Sequence, residues 1–154
     1  MLDAGDMKQH EMIAELIAPC GANCIICMAY LRKKNHCPGC RFDDQNKAKS
    51  CVQCRIKNCL ELNRNKLKFC YECTNYPCEK IKHLDKRYRI NYSYSMIESL
   101  EYLKEYGIKQ HIKNEKRKWI CKECGGVICV HRGFCIECGK IWYQNIGNNR
   151  SKIK

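Results

Sequence analysis

Apolar positions in this chain come in short bursts separated by polar and cysteine-rich runs. Residues 6–18 place Met12, Ile13, Leu16 and Ile17 on one face, the spacing of a short amphipathic helix stopped at Pro19. MAYLRKKN predicts a second short helix, with Met28, Tyr30 and Leu31 partly buried and Arg32, Lys33 and Lys34 in water. Residues 43–50 (DDQNKAKS) read as polar loop, and residues 56–64 as a short helix through Leu60 and Leu62. Residues 79–87 predict a helix with Ile81 and Leu84 inward. Ser95-Met-Ile-Glu98 has the spacing of a capping box. Met96, Ile97, Leu100 and Leu103 then form a buried stripe that Gly107 is placed to end. Residues 108–118 read as a short, very basic helix and linker, and Val127 to Val130 with Phe134 supply the strands of a hairpin.

These bursts make a thin core. The hydrophobic fraction of 45% is inflated by 16 cysteines, and the chain of 154 residues has only 3 Phe and 2 Trp. Residues 37–78, rich in Lys, Asn and Arg, bury too little apolar surface to offset chain entropy unaided. Something else must hold them. Structural metal does so, at on the order of 10 kcal/mol or more per zinc site.

Cysteine above a tenth of a chain means disulfides or metal. Disulfides need an oxidising compartment. Residues 1–9 show neither a basic start nor an apolar run, and no apolar stretch is long enough to span a bilayer. The expectation is a cytoplasmic, soluble protein that uses its cysteines for metal, with no membrane partner.

The cysteine spacing carries the strongest signal. Cys37/Cys40, Cys51/Cys54, Cys70/Cys73, Cys121/Cys124 and Cys135/Cys138 are C-x2-C pairs, each able to fill two positions of a tetrahedral ion. Cys70-x2-Cys73-x4-Cys78 repeats Cys51-x2-Cys54-x4-Cys59 nineteen residues later, as a local duplication would. Cys121-x2-Cys124-x10-Cys135-x2-Cys138 reads as a closed, structural zinc ribbon. Gly125, Gly126 and Gly139 follow its knuckles, where positive φ is often needed.

Ligand sharing among the first eleven cysteines stays open on spacing alone. One partition joins Cys37, Cys40, Cys51 and Cys54, and separately Cys59, Cys70, Cys73 and Cys78. Its rival joins Cys24, Cys27, Cys37 and Cys40, and separately Cys51, Cys54, Cys70 and Cys73. Each leaves three cysteines for a third site, which His36, a water or a substrate would complete. Cys129 and His131 read as packing residues of the ribbon, the alternative being a ligand or reactive pair.

Net charge changes the picture less than it first suggests. The formal value is +13. Sixteen thiolates on four zinc ions would carry about −8, leaving about +5. Much of the basic excess therefore balances metal sites. Arg32, Lys33, Lys34, Arg64, Lys66, Lys68, Lys116, Arg117 and Lys118 remain candidates to meet phosphate or an acidic protein surface, and the tyrosines at 88, 92, 94, 102 and 106 read first as packing.

The segments IAPCGANCIICMAYL, HCPGCR, CVQCRIKNC and FCYECTNYPCEKIKHLDKRY resemble the cysteine-rich family known as domain of unknown function 3795. The most specific of its motifs is Tyr76-Pro77-Cys78-Glu79-Lys80, and the resemblance covers roughly residues 17–90. It implies that these cysteines are metal ligands in a small bacterial or archaeal cytoplasmic domain, and it implies no activity. The ribbon lies outside it.

The expected fold is a small metal-rich α+β protein, with short helices and irregular loops around Cys-ligated sites plus a C-terminal zinc-ribbon hairpin. Its parts would be a multi-metal domain over residues 1–92, a helical connector over 93–118, the ribbon over 119–143 and a basic tail over 144–154. The expected metal ligands are Cys20, Cys24, Cys27, Cys37, Cys40, Cys51, Cys54, Cys59, Cys70, Cys73, Cys78, Cys121, Cys124, Cys135 and Cys138. They suit about three or four zinc ions. The function expected is non-catalytic recognition of nucleic acid or a protein. Two other readings compete with it. An iron–sulfur protein would also use cysteine ligands, without the ferredoxin spacing here. A metalloenzyme would use Cys20, Cys24 and Cys27 as an open site; their C-x3-C-x2-C order occurs in radical S-adenosylmethionine enzymes, but no half-barrel of strand–helix repeats follows.

Overall fold

The structure is a computed structural model and describes residues 12–142. The basic tail and residues 6–11 of the first expected helix lie outside these residues. Of the rest of that helix only one 3-10 turn forms, Ala14–Leu16, between extended Ile13 and Ile17. Tertiary pairing overrides the helical pattern here: Ile17 bridges antiparallel to Asn23, and the Ala18 N–H donates to the Ala22 carbonyl at 2.8 Å. The chain reverses at Gly21, whose φ is +92° and where a Cβ would sit 2.9 Å from Leu100 Cγ.

The reversal delivers the chain to a 3-10 turn, Cys24–Ile26, capped by the Asn23 side chain, which accepts the Ile25 N–H. Helix α1, Met28–Leu31, follows. Met28 is 38% exposed and not partly buried as its pattern implied, because one turn turns only part of its circumference inward and Tyr30 and Leu31 occupy it. Helix α2, Lys49–Val52, starts inside the expected loop and carries Cys51. Helix α3, Leu60–Arg64, buries Leu62 and leaves Leu60 in water. A 3-10 turn, Cys70–Glu72, precedes helix α4, Glu79–Tyr92, which runs five residues beyond the expected end and stops at left-handed Ser93.

Helix α5, Met96–Trp119, begins as its capping spacing predicts. Ser95 Oγ accepts the Glu98 N–H at 3.0 Å, and Asp85 of α4 accepts both the Ser95 hydroxyl at 2.6 Å and the Ile97 N–H at 3.0 Å. The expected break at Gly107 is present: its φ of 86° and ψ of 168° are non-helical. Met96, Ser99, Leu100 and Leu103 are buried before it, and His111, Glu115 and Trp119 after it. The second group was not foreseen in a segment read as a basic connector.

The ribbon is built from single antiparallel bridges, Ile120 to Val127, Ile128 to Cys135 and Phe134 to Ile141. Longer strands do not develop, since the cysteine loops use the neighbouring backbone groups themselves. It packs directly on the cysteine-rich part: the Val130 N–H donates to the Ile26 carbonyl at 2.9 Å. One buried cluster runs through Ile17, Ile25, Ile81, Leu100, Trp119 and Val127. Among the described residues, no helix is long and apolar enough to cross a membrane.

Candidate metal centre

Two knuckles of nearly identical geometry build the ribbon site. In the first, the Gly125 N–H donates to the Cys121 carbonyl at 2.8 Å and the Cys121 N–H to the Gly126 carbonyl at 2.7 Å. In the second, Gly139 and Cys135 make the same pair of bonds, at 2.9 and 3.0 Å, with Lys140 in the place of Gly126. The Gly126 N–H points to Cys124 Sγ and the Glu137 N–H to Cys135 Sγ, each at 3.4 Å. Such amides stabilise thiolate charge before any ion arrives. Gly125 and Gly139 have φ of 80° and 81°, as the spacing implied. Gly126 serves a different purpose: a Cβ there would meet Glu137 Cγ at 2.5 Å and Cys135 Sγ at 3.0 Å. It is a glycine because the facing knuckle leaves no room.

The sulfurs of Cys121, Cys124, Cys135 and Cys138 all lie within 4.8 Å of one another. Cys121 and Cys138 are 3.7 Å apart, Cys124 and Cys135 3.5 Å. Sulfurs about 2.3 Å from a tetrahedral ion stand about 3.8 Å apart, so the donor set fits one ion of zinc size. A disulfide, with sulfurs about 2.0 Å apart, does not fit these distances. The Cys124 and Glu123 N–H groups draw the Cys121 thiol down to about 7. Cys124 is driven up to about 12: the Gly126 N–H opposes the rise, but Cys135 and burial outweigh it. Four adjacent thiols cannot all ionise without a cation, and a divalent ion supplies that charge while closing the coordination sphere.

Among the described residues, the ribbon cysteines are the one group of three or more potential ligands so tightly gathered. Eight of the N-terminal cysteines fall into two looser neighbourhoods. In one, the Cys40 N–H donates to Cys24 Sγ at 3.3 Å, and the Gly39 N–H to Cys37 Sγ at 3.4 Å in the manner of a knuckle. Burial pushes the Cys27 thiol up to about 11, and negative charge on Cys40 and Cys37 raises it further. The Cys24 thiol, then burial, raise Cys40. In the other, burial raises Cys70, as does charge on Cys20, Cys78, Cys59 and Cys73. Lys80 Nζ stands 3.7 Å from Cys59 Sγ, and the Asn75 N–H 3.4 Å from Cys73 Sγ. Burial opposes ionisation of Cys59, but the Leu62 and Glu61 amides and Lys80 hold its thiol below the usual range.

Cys20 lies between these groups. Burial lifts its thiol to about 12, with Cys40 and Cys54 adding to the rise. Cys51 is exposed on α2 and Cys54 half-buried. His36 is exposed, with Nδ1 hydrogen-bonded to the Tyr30 carbonyl. The carboxylates nearest these cysteines in sequence hold the backbone and surface together. Asp43 accepts the Gln45 N–H, Asp44 pairs with Lys57 at 2.6 Å, and Glu72 accepts the Phe69 and Lys68 N–H groups.

His131 and Cys129 serve packing. The Met28 N–H donates to His131 Nδ1 at 3.2 Å, so the proton sits on Nε2, 3.0 Å from the Tyr88 hydroxyl. Burial pushes this histidine down to about 4, which keeps it neutral. Cys129 is 1% exposed and burial raises its thiol. A second polar group, missed in the sequence, lies along α5. The Asn23 amide donates to Glu115 Oε1 at 3.2 Å, Tyr94 Oη donates to the same oxygen at 3.4 Å, and Ser99 Oγ sits 3.2 Å from His111 Nε2. The spacing of four between 111, 115 and 119 was its only signal.

Residues 16–83 match the model of a family described as a protein of unknown function, DUF3795. The likeness read from the cysteine motifs is thus upheld, and the ribbon lies beyond the matched residues. No curated protein and no solved structure matches the chain.

Proposed function

We propose that this is a zinc-stabilised recognition protein that works without catalysis at its metals. The observation that carries the reading is the ribbon, where four thiols at single-ion distances leave no position for a substrate. Cysteines on an iron–sulfur cluster bind separate irons and would stand farther apart, which favours one ion over a cluster there. In the N-terminal part, Cys24, Cys27, Cys37 and Cys40 hold a second ion, and Cys59, Cys70, Cys73 and Cys78 a third. This assignment takes one half from each partition that spacing allowed. Cys20, Cys51 and Cys54 are left to adjust or extend these two sites.

The recognition surface is basic. Arg32, Lys33 and Lys34 beyond α1, and Lys116, Arg117 and Lys118 at the end of α5, are exposed. The partner proposed is nucleic acid, with an acidic protein as the competing choice. Metal analysis and a visible spectrum of anaerobically purified protein test the first part: colourless protein with about three zinc ions per chain supports it, and brown protein with iron and sulfide refutes it. Anisotropy titrations of labelled single-stranded oligonucleotides test the second. Affinity should fall steeply with salt, with a slope of about −0.7 per phosphate contacted. Flat binding across the salt series would assign the surface to a protein.

A further inference from the structure

Two of the four ribbon cysteines, Cys124 and Cys138, are exposed, whereas Cys121 and Cys135 are buried, at 4% and 0% exposure. The exposed two are not equivalent. The Gly126 N–H is bonded to Cys124 Sγ at 3.4 Å. In the second knuckle Lys140 stands in the place of Gly126, and among the described residues no N–H is bonded to Cys138 Sγ. Its one partner there is the Cys121 thiol, 3.7 Å away on the opposite knuckle.

With an ion bound, all four sulfurs are thiolates. Thiolate character then no longer separates them; access and hydrogen bonding do. An N–H bonded to a thiolate engages the electron pair that would attack an electrophile. Cys121 and Cys135 lack access. Cys124 has access but carries an N–H. Cys138 has access and carries none, and it has a second sulfur within reach to complete a bond.

We propose that Cys138 is an oxidation site of the ribbon, that a peroxide is its reagent, and that Cys121 closes the reaction as a disulfide between the two knuckles. The Cys138 thiolate attacks one oxygen of hydrogen peroxide; an S–O bond forms, the O–O bond breaks and hydroxide leaves. The Cys121 thiolate then attacks the sulfenic sulfur; an S–S bond forms, the S–O bond breaks and a second hydroxide leaves. The two sulfurs lose two electrons, the peroxide gains them, and solvent protons turn both hydroxides into water. Cys124 and Cys135 are then the only thiolates left to the ion, too few to hold it. A peroxide thus opens this metal site and a thiol reductant restores it. The inference rests on the one-ion reading of the ribbon and adds to it a means of control.

The test uses the full chain with its metal as purified. Substoichiometric hydrogen peroxide is added with dimedone present, and labelled peptides are quantified. Among the ribbon cysteines, the sulfenic-acid label should appear on Cys138 about tenfold above Cys124, the factor that one hydrogen bond to a charged group supplies. Without dimedone, a Cys121–Cys138 disulfide should form and release one zinc ion per bond, read with a chromogenic chelator. Dithiothreitol with added zinc should reverse both. Iodoacetamide mapping of the same protein decides the order should the sulfenic acid be too short-lived to trap. Label first on Cys124, or equally on the two, would overturn the assignment to Cys138. A disulfide within one knuckle would overturn the role of Cys121. A ribbon that keeps its zinc and its thiols in excess peroxide would overturn the inference and leave the metal reading standing. A metal count that Cys138→Ser leaves unchanged would refute the metal reading and the inference together.

Discussion

The side-chain amide of Asn23 donates a hydrogen bond to the buried carboxylate of Glu115 at 3.2 Å, across ninety-two residues of sequence. Asn23 belongs to the reversal that presents Cys20 and Cys24, and Glu115 to the helix that enters the ribbon. Their contact ties the cysteine-rich part to the ribbon through a polar pair in the middle of the core. Charge buried this deeply is costly, and the two neutral donors on Oε1, Asn23 and Tyr94, offset only part of that cost.

Glu115→Gln should therefore stabilise the protein near neutral pH. Burial raises the Glu115 carboxyl above its ordinary 4.5, and Lys118, Asn23 and Tyr94 oppose the rise without cancelling it. A folded-state value above the unfolded one means that the group favours folding when protonated. That contribution is complete below the unfolded value and is lost as pH rises through the folded one. Denaturant midpoints of the two proteins should coincide in acid and separate as pH rises, the variant being the more stable. Taking the difference at each pH cancels the loss of metal common to both. A wild type more stable than the variant at pH 7 would contradict this account.

Asp85 has the opposite sign. Burial opposes its ionisation, but the Ser95 hydroxyl, the Ile97 N–H and Arg89 hold its carboxyl below the ordinary value. Its contribution is present above the unfolded value and is lost as pH falls through the folded one. Asp85→Ala removes an acceptor from the first turn of α5 and should cost roughly 1–3 kcal/mol at pH 7. Hydrogen exchange at the Ile97 amide should accelerate more than that at Leu103, beyond the capped turn.

The sequence announced some of this and hid the rest, for reasons that differ from one residue to the next. A C-x2-C knuckle is a local object, so Cys121, Cys124, Cys135 and Cys138 could be grouped from spacing. Gly107 could be read as a break because a backbone with φ of 86° suits glycine almost alone. The helix expected over residues 6–18 shows only Ala14–Leu16 among its described residues, because the pairing of Ile17 with Asn23 is tertiary and leaves no periodic trace. The nearness of Cys24 to Cys40, and of Cys59 to Cys70, stood in one partition each, and spacing offered both without choosing between the partitions. His111, Glu115 and Trp119 escaped notice because polar residues on a lysine-rich segment look solvated until the fold is seen to bury them.

Loss of one ribbon ligand should remove one ion and loosen one region. In Cys138→Ser the weaker hydroxyl donor leaves three thiols around the ion, and the binding free energy there is folding free energy. Metal content should fall by one equivalent per chain. Amide exchange over residues 120–136 should accelerate by at least about a hundredfold. The Val130 N–H, bonded to the Ile26 carbonyl, reports whether the loosening reaches the cysteine-rich part. An unchanged metal count would show that Cys138 is not a ligand.

The two adjacent ribbon glycines should respond in unequal measure to alanine, and in the order opposite to their backbone angles. Gly125 has a φ of +80°, but a Cβ there would touch nothing within 4 Å. Gly125→Ala then meets only the strain of the left-handed region, about 1–2 kcal/mol. Gly126 has room for no side chain. Its Cβ would come within 2.8 Å of Glu137 Cβ and 3.0 Å of Cys135 Sγ, so either the facing knuckle or a ligand sulfur must move. Displacing a thiolate from its position around the ion weakens the metal as well as the fold. A zinc chelator competition should show Gly126→Ala losing at least about tenfold in affinity, and Gly125→Ala much less. Equal losses, or a larger one at Gly125, would mean that backbone strain and not the space between the knuckles governs this site.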